Sequence, residues 1–90
     1  MERLVAVSGG FDPLHRGHIE QMVEASKLGR LVVIVESDEW IDSKKHKVLM
    51  PQSDRAFIIQ NLRCVCEVLL NDDPNGDASK ILEDLHPDLF

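Results

Sequence analysis

Ninety residues make at most one small domain, which buries about 60–65% of the surface its unfolded chain exposes and leaves no room for a second catalytic domain. At 43% hydrophobic the composition excludes disorder. No apolar run approaches the ~20 residues of a membrane span, and the N-terminus lacks a signal peptide's apolar core, so the cytoplasm is the expected location.

The net charge of −6 is uneven: nine Lys/Arg stand against ten Asp/Glu in residues 1–70, and Lys80 alone against six acids in 71–90. A broad polyanion-binding surface, and with it nucleic acid as a partner, is therefore not expected. Four of the ten cations nevertheless gather at Lys44, Lys45, Lys47 and Arg55. Such a patch suits a small phosphate ligand, although a solvated charged loop would read the same way.

Residues 3–8 (RLVAVS) form a β-branched run ended by Gly9-Gly10, which predicts a strand and a tight turn. From Gly17 the period changes: Ile19, Met22, Val23 and Ser26 share one helical face, and Gly29 supplies the stop. Residues 31–36 (LVVIVE) are apolar on both faces, as in a strand buried between two layers. Strand, helix and strand within about 35 residues make a βαβ unit with a right-handed crossover. Residues 37–50 read as a polar loop carrying the lysines, with Trp40 as its packing anchor rather than a base-stacking platform. Pro51 opens a second helix in which Ala56, Ile59 and Leu62 share a face.

Cys64 and Cys66 fall in a third predicted strand that runs to Leu70. Two residues apart on one strand face, they are expected to be free thiols, since their Cα atoms would lie about 6.6 Å apart with parallel side chains. The stretch 71–77 (NDDPNGD) is turn chemistry ending in Asp77 as an N-cap, followed by a helix with Ile81, Leu82 and Leu85 as its stripe. His86-Pro87 stops that helix, and residues 88–90 resemble the opening of a fourth strand. Residues 1–90 are thus one α/β domain with a Rossmann-like parallel sheet.

Ligands of such sheets bind at the carboxyl ends of the strands, near helix N-termini. The segment SGGFDPLHRGH, residues 8–18, sits there. Gly9, Gly10 and Gly17 allow close backbone approach to a ligand. The first helical turn offers unpaired N–H groups and the positive end of a dipole, which favour phosphate. His15 and His18, three residues apart, would point toward one place and hydrogen-bond phosphate oxygens. Phosphoryl or nucleotidyl transfer asks for this arrangement, because the protein mostly positions phosphates and stabilises their developing charge. No Gly-Lys-Ser/Thr follows the glycines, so this is not a Walker loop, and no covalent nucleophile with its base is recognisable.

The segment from Gly9 to His18 (GGFDPLHRGH) resembles the Gly-X-Phe-Asp-X-X-His-X-Gly-His signature of the cytidylyltransferase-like nucleotidyltransferases, which include glycerol-3-phosphate cytidylyltransferase and the adenylyltransferase of ADP-heptose synthesis. Further landmarks are SDEW at 37–40, the lysines of 44–47, Met50-Pro51, Arg55 and LHPDLF at 85–90. The resemblance implies a sheet order of 3-2-1-4-5, with the last strands missing from this chain, which would be the N-terminal part of the family fold. It implies transfer of CMP or AMP from CTP or ATP, with Mg²⁺, to a small phosphorylated acceptor such as glycerol phosphate or a sugar phosphate, with release of pyrophosphate. His15 and His18 would stabilise the α-phosphate, with Lys44 beside them in catalysis. Gly9, Gly10, Phe11, Asp12 and Gly17 would line the nucleotide, Asp12 orienting the loop or the acceptor. Lys44, Lys45 and Arg55 would bind phosphates.

The chain departs from the family pattern in two places. Many relatives carry Thr, Ser or Cys where this chain has Gly10. The family's Gly-Gly-Asp-like turn and its Ser/Thr-rich, Arg-containing motif do not occur in these 90 residues. The chain is therefore expected to be a fragment, or to take its missing strands from another subunit as a homodimer, since an uncovered apolar edge invites aggregation. The competing reading is a nucleotide-binding module without turnover. A fragment of a class I aminoacyl-tRNA synthetase would bind tRNA, against which the acidic balance argues. A metal site finds too few ligands at metal-binding spacing.

Overall fold

Residues 5–8 alternate β-branched and small side chains, and in the computed structural model, which describes residues 2–90, they lie in strand β1 (Leu4–Gly9). Helix α1 (Arg16–Ser26) leads to β2 (Arg30–Val35), then α2 (Asp38–Lys45), α3 (Gln52–Gln60), β3 (Glu67–Leu70) and α4 (Ser79–Leu85). β1 pairs with β2 in parallel from Leu4 opposite Arg30 to Gly9 opposite Val35. β2 pairs with β3 from Val32 opposite Glu67 to Val35 opposite Leu70. The order β1-β2-β3 is the expected 3-2-1.

On the other side of β1, Leu89 makes a parallel bridge to Val5. The Ala6 N–H donates to the Leu89 carbonyl at 2.9 Å, and the Asp88 N–H to the Leu4 carbonyl at 2.8 Å. Residues 88–89 thus begin a line beside β1, as the order 3-2-1-4 requires. Part of the β1 edge that was expected to be bare is paired.

Leu31 through Val35 are all fully buried, so β2 is the central strand covered on both faces. Its odd residues, Leu31, Val33 and Val35, share one core with Met22 of α1 and Ile59 of α3. Two crossovers of the same hand that advance in one direction along a sheet must lie on the same face, and α1 and α3 do. Full burial of each such side chain is worth about 1.5–3 kcal/mol, which makes this strand the apolar backbone of the domain.

Four expectations need correction. Residues 38–45 are a helix, not a loop: Ser37 caps it by accepting the Trp40 N–H at 3.0 Å, acids open it and Lys44-Lys45 close it, complementing the dipole. The face of α1 turned to the sheet runs through His18, Met22 and Ala25, leaving Val23 39% exposed. The third strand starts at Glu67, so the cysteines precede it; both are free, and Cys64 packs against the core. Asp77 lies one residue ahead of the N-cap of α4, yet its carboxylate accepts the Ser79 N–H at 2.9 Å, which does the work of a cap. No helix among the described residues is long and apolar enough to cross a membrane.

Candidate active site

At the carboxyl end of β1 the chain turns back on itself. Phe11 takes a left-handed conformation (φ 56°), a cost of about 1 kcal/mol for a residue with a Cβ, and folds its ring into the core. The ring lies edge-on to His18, with centroids 5.2 Å apart. A Cβ on Gly9 would stand 2.9 Å from the Phe11 ring. The space left by this glycine is therefore filled by the chain's own side chain rather than kept for a ligand.

Gly17 follows the same logic, since a Cβ there would lie 2.9 Å from Cε1 of His15. His15 is the N-cap of α1 and accepts the Gly17 N–H on Nδ1 at 3.0 Å; His18, at the third helical position, accepts the His15 N–H on its own Nδ1 at 3.2 Å. The two imidazoles form a reciprocal capping box and stack at 3.8 Å between centroids. The Gly17 amide that was expected to face a phosphate is thus already bonded.

The consequence for the histidines is chemical. An Nδ1 that accepts an amide N–H carries no proton, so each neutral imidazole bears its proton on Nε2 and is a donor there. Burial lowers the pKa of His18 below its usual value, and the neighbouring charge of His15 lowers it further. Both side chains line a cleft whose opposite wall is Trp40, Ile41 and Lys44 of α2. Phe11 and His18 also border a second depression along β1, with Ser8, Gln21 and Phe90. His18 therefore stands between two hollows.

The remaining expected site residues separate into two groups. Lys44 lines the cleft and has no carboxylate partner among the described residues, its Nζ lying 5.7 Å from the centroid of the Trp40 ring. Lys45 also borders the cleft but donates to the Asp12 carbonyl and lies 3.5 Å from the Asp12 carboxylate. Asp12, whose side chain is 2% exposed, accepts the N–H groups of Leu49 at 2.7 Å and Met50 at 2.8 Å. Burial pushes its carboxyl up, but those two amides and Lys45 together hold it below the ordinary carboxylate value. Asp12 orients the loop, fastening the site segment to residues 49–50.

Arg55 does not face the cleft. It is 1% exposed, and its guanidinium donates to the carbonyls of Gly10 (2.7 Å), Glu36 (2.9 Å) and Met50 (3.0 Å) and to the Asp38 carboxylate (2.5 Å). Its expected contact with phosphate gives way to a positioning role, because four acceptors already take up a fork that has five donors.

Sequence reasoning missed Glu36 and Asn71, both buried where β2 and β3 end. The Asn71 amide donates to the Glu36 carboxylate at 3.1 Å. Burial raises the pKa of Glu36, Asp73 adds to the rise, and the Asn71 bond and Arg55 oppose it. The only signal for this acid was its place at the end of an apolar strand.

The model of the family described as cytidylyltransferase-like matches residues 6–90. The chain belongs to this family. Among cytidylyltransferase-like proteins, it is 40% identical over 91 residues to a protein named FAD synthase from Methanocella paludicola, covering 100% of this chain and 63% of that one. It is 38% identical over 87 residues to a second FAD synthase, from Aciduliprofundum boonei, covering 96% of this chain and 57% of the other. A crystal structure of the lipopolysaccharide core biosynthesis protein from Thermoplasma volcanium superposes with a TM-score of 0.84 at 32% identity, covering 99% of this chain and 73% of that one. The chain spans about three fifths of the length of these curated relatives.

Proposed function

We propose that this cytidylyltransferase-like chain carries the phosphate-handling part of a nucleotidyltransferase site, which transfers AMP or CMP from ATP or CTP to a small phosphorylated acceptor. The observation that supports it best is the histidine pair: two imidazoles locked by each other's turn, with Nε2–H donors set at a helix N-terminus on the carboxyl end of β1. ATP is the favoured donor, because FAD, for which the curated relatives are named, contains an adenylyl group.

In the reaction, an oxygen of the acceptor's phosphate attacks the α-phosphorus. A new P–O bond forms while the bond to the bridging oxygen of the β-phosphate breaks, and pyrophosphate leaves with that electron pair. Negative charge builds on the oxygens around the α-phosphorus. The Nε2–H groups of His15 and His18 donate to those oxygens without needing a charge of their own, and each such donor is worth about 3 kcal/mol in the transition state. Lys44 meets the anionic end of nucleotide or acceptor.

Mg²⁺ enters as part of the nucleotide. Among the described residues no three His, Cys, Asp or Glu side chains are grouped to hold a metal ion. Its chemistry is to neutralise charge on the leaving pyrophosphate.

The test is pyrophosphate release with Mg²⁺-ATP and with Mg²⁺-CTP, in parallel with thermal shift. A binder at a hundred times its Kd adds about 2.7 kcal/mol of stability. Release that depends on both acceptor and His18 supports transfer; stabilisation by a nucleotide without release selects the binding module instead.

A further inference from the structure

Helix α2 carries Trp40, Ile41 and Lys44, the wall of the cleft opposite His15 and His18. Among the described residues it lies along no other helix or strand, so its place is set by the buried Ile41 and by what holds its two ends. At the far end Lys45 meets Asp12. At the near end, beside the pair of Asp38 and Arg55, two hydrogen bonds run as rungs to the loop after β3. The Asn71 amide donates to the Glu36 carboxylate at 3.1 Å, and the Ser37 hydroxyl donates to the Asp73 carbonyl at 3.3 Å. The Asn71 side-chain oxygen accepts the Asp73 N–H at 3.1 Å, which joins the two rungs.

Asn71 is buried, and its backbone N–H, its carbonyl and both ends of its side-chain amide are bonded. A carboxylate on one side and an N–H on the other call for a donor and an acceptor on one short side chain, which an amide supplies. The rungs reach the indole of Trp40 from two directions. Ser37, which carries one rung, also accepts the Trp40 N–H at 3.0 Å. The loop that carries the other ends of the rungs continues to Gly76, whose N–H donates to the Asp73 carbonyl at 3.0 Å and whose backbone lies so close to the indole that a Cβ would collide with it. We propose that Asn71 is a positioning residue of the cleft: by holding Glu36 and Asp73 together it fixes the start of α2, and with it Trp40 and Lys44, opposite the histidine pair. The consequence for an anionic ligand of Lys44 rests on the transfer reading above; the hold on Trp40 does not.

Trp40 is the one tryptophan of the chain, which has no tyrosine, so indole fluorescence reports on this wall alone. Acrylamide quenching of that emission and calorimetric titration with Mg²⁺-ATP are measured on the chain, on Asn71→Leu and on the swapped pair Glu36→Gln/Asn71→Asp. Leucine is close to asparagine in size and cuts both side-chain bonds. The swap reverses the first rung: an amide at position 36 donates to a carboxylate at position 71, which still accepts the Asp73 N–H. Asn71→Leu is expected to raise the quenching constant about threefold and to weaken Mg²⁺-ATP about tenfold, and the swap to return both to within about twofold of wild type. A folded Asn71→Leu with wild-type quenching overturns the proposal, and so does a swapped pair that fails to fold or leaves the indole loose. If Asn71→Leu does not fold, the swapped pair decides by the same criterion. Quenching that moves as expected while no sample, wild type included, binds Mg²⁺-ATP leaves Asn71 as the residue that positions α2 and removes the transfer reading instead.

Discussion

The N–H of His15 donates to Nδ1 of His18, so the residue that caps α1 is itself held by the second imidazole of the pair. Stability and chemistry share these two side chains, and substitutions can pull the two apart.

His15→Ala removes the acceptor for the Gly17 N–H and should lower stability by about 1 kcal/mol. In a domain of this size that moves Tm by about 4–8 °C. His15→Asn keeps a good capping oxygen but offers no Nε2–H. It should melt within a few degrees of wild type while transfer falls about 10²–10³-fold. Melting curves read beside pyrophosphate release check the separation.

The pKa of His18 is lowered by burial and by the charge of His15. The folded state therefore favours the neutral ring. The associated stability is fully present above the unfolded value of about 6.5 and is lost as pH falls through the lower folded value. The pH titration of the His18 Cε1 proton by NMR should give a midpoint below 6.5. Transfer should likewise hold constant down to that midpoint and fall below it.

Arg55→Met leaves three carbonyls, that of Glu36 fully buried, without their donor and Asp38 without its partner. A loss of about 3 kcal/mol or more in urea unfolding is expected. Arg55→Lys should recover only part of it, because one ammonium cannot reach four separate acceptors.

Glu36 behaves in the opposite sense to His18. Its raised pKa means that the fold favours the protonated acid, so its contribution is present below the unfolded value of 4.5 and is lost as pH rises through the raised folded value. Glu36→Gln keeps an oxygen for the Asn71 amide and removes the charge. It should stabilise the chain by about 1 kcal/mol at neutral pH and change little in acid, as thermal melts at the two pH values would show.

Sequence periodicity made readable a central strand apolar on both faces, its parallel neighbours and the opening of a further strand at residues 88–90, while the order 3-2-1 followed from the family resemblance. Helix α2 was missed because its apolar positions are few, although Ser37 followed by Asp38 and Glu39, with Lys44 and Lys45 at the far end, is a capped and dipole-matched helix. The histidine pair was readable from spacing, but its mutual capping was not, since that depends on which ring nitrogen turns to the backbone. Arg55 was read as a phosphate ligand because it belongs to the cation patch with Lys44, Lys45 and Lys47 and to the landmarks of the resemblance. What buries it is a set of carbonyls from residues 10, 36 and 50, which no local pattern brings together. Gly9 and Gly17 were read as openings for a ligand, and they are recesses for Phe11 and His15.

The convergence of four segments on the Arg55 guanidinium bears on how the domain breathes. The turn after β1, the end of β2, the start of α2 and the approach to α3 have no means of loosening one at a time. Each release strands the same buried group. In native-state hydrogen exchange their amides should share one opening free energy, as a single cooperative unit, while outlying segments such as α4 open earlier and alone.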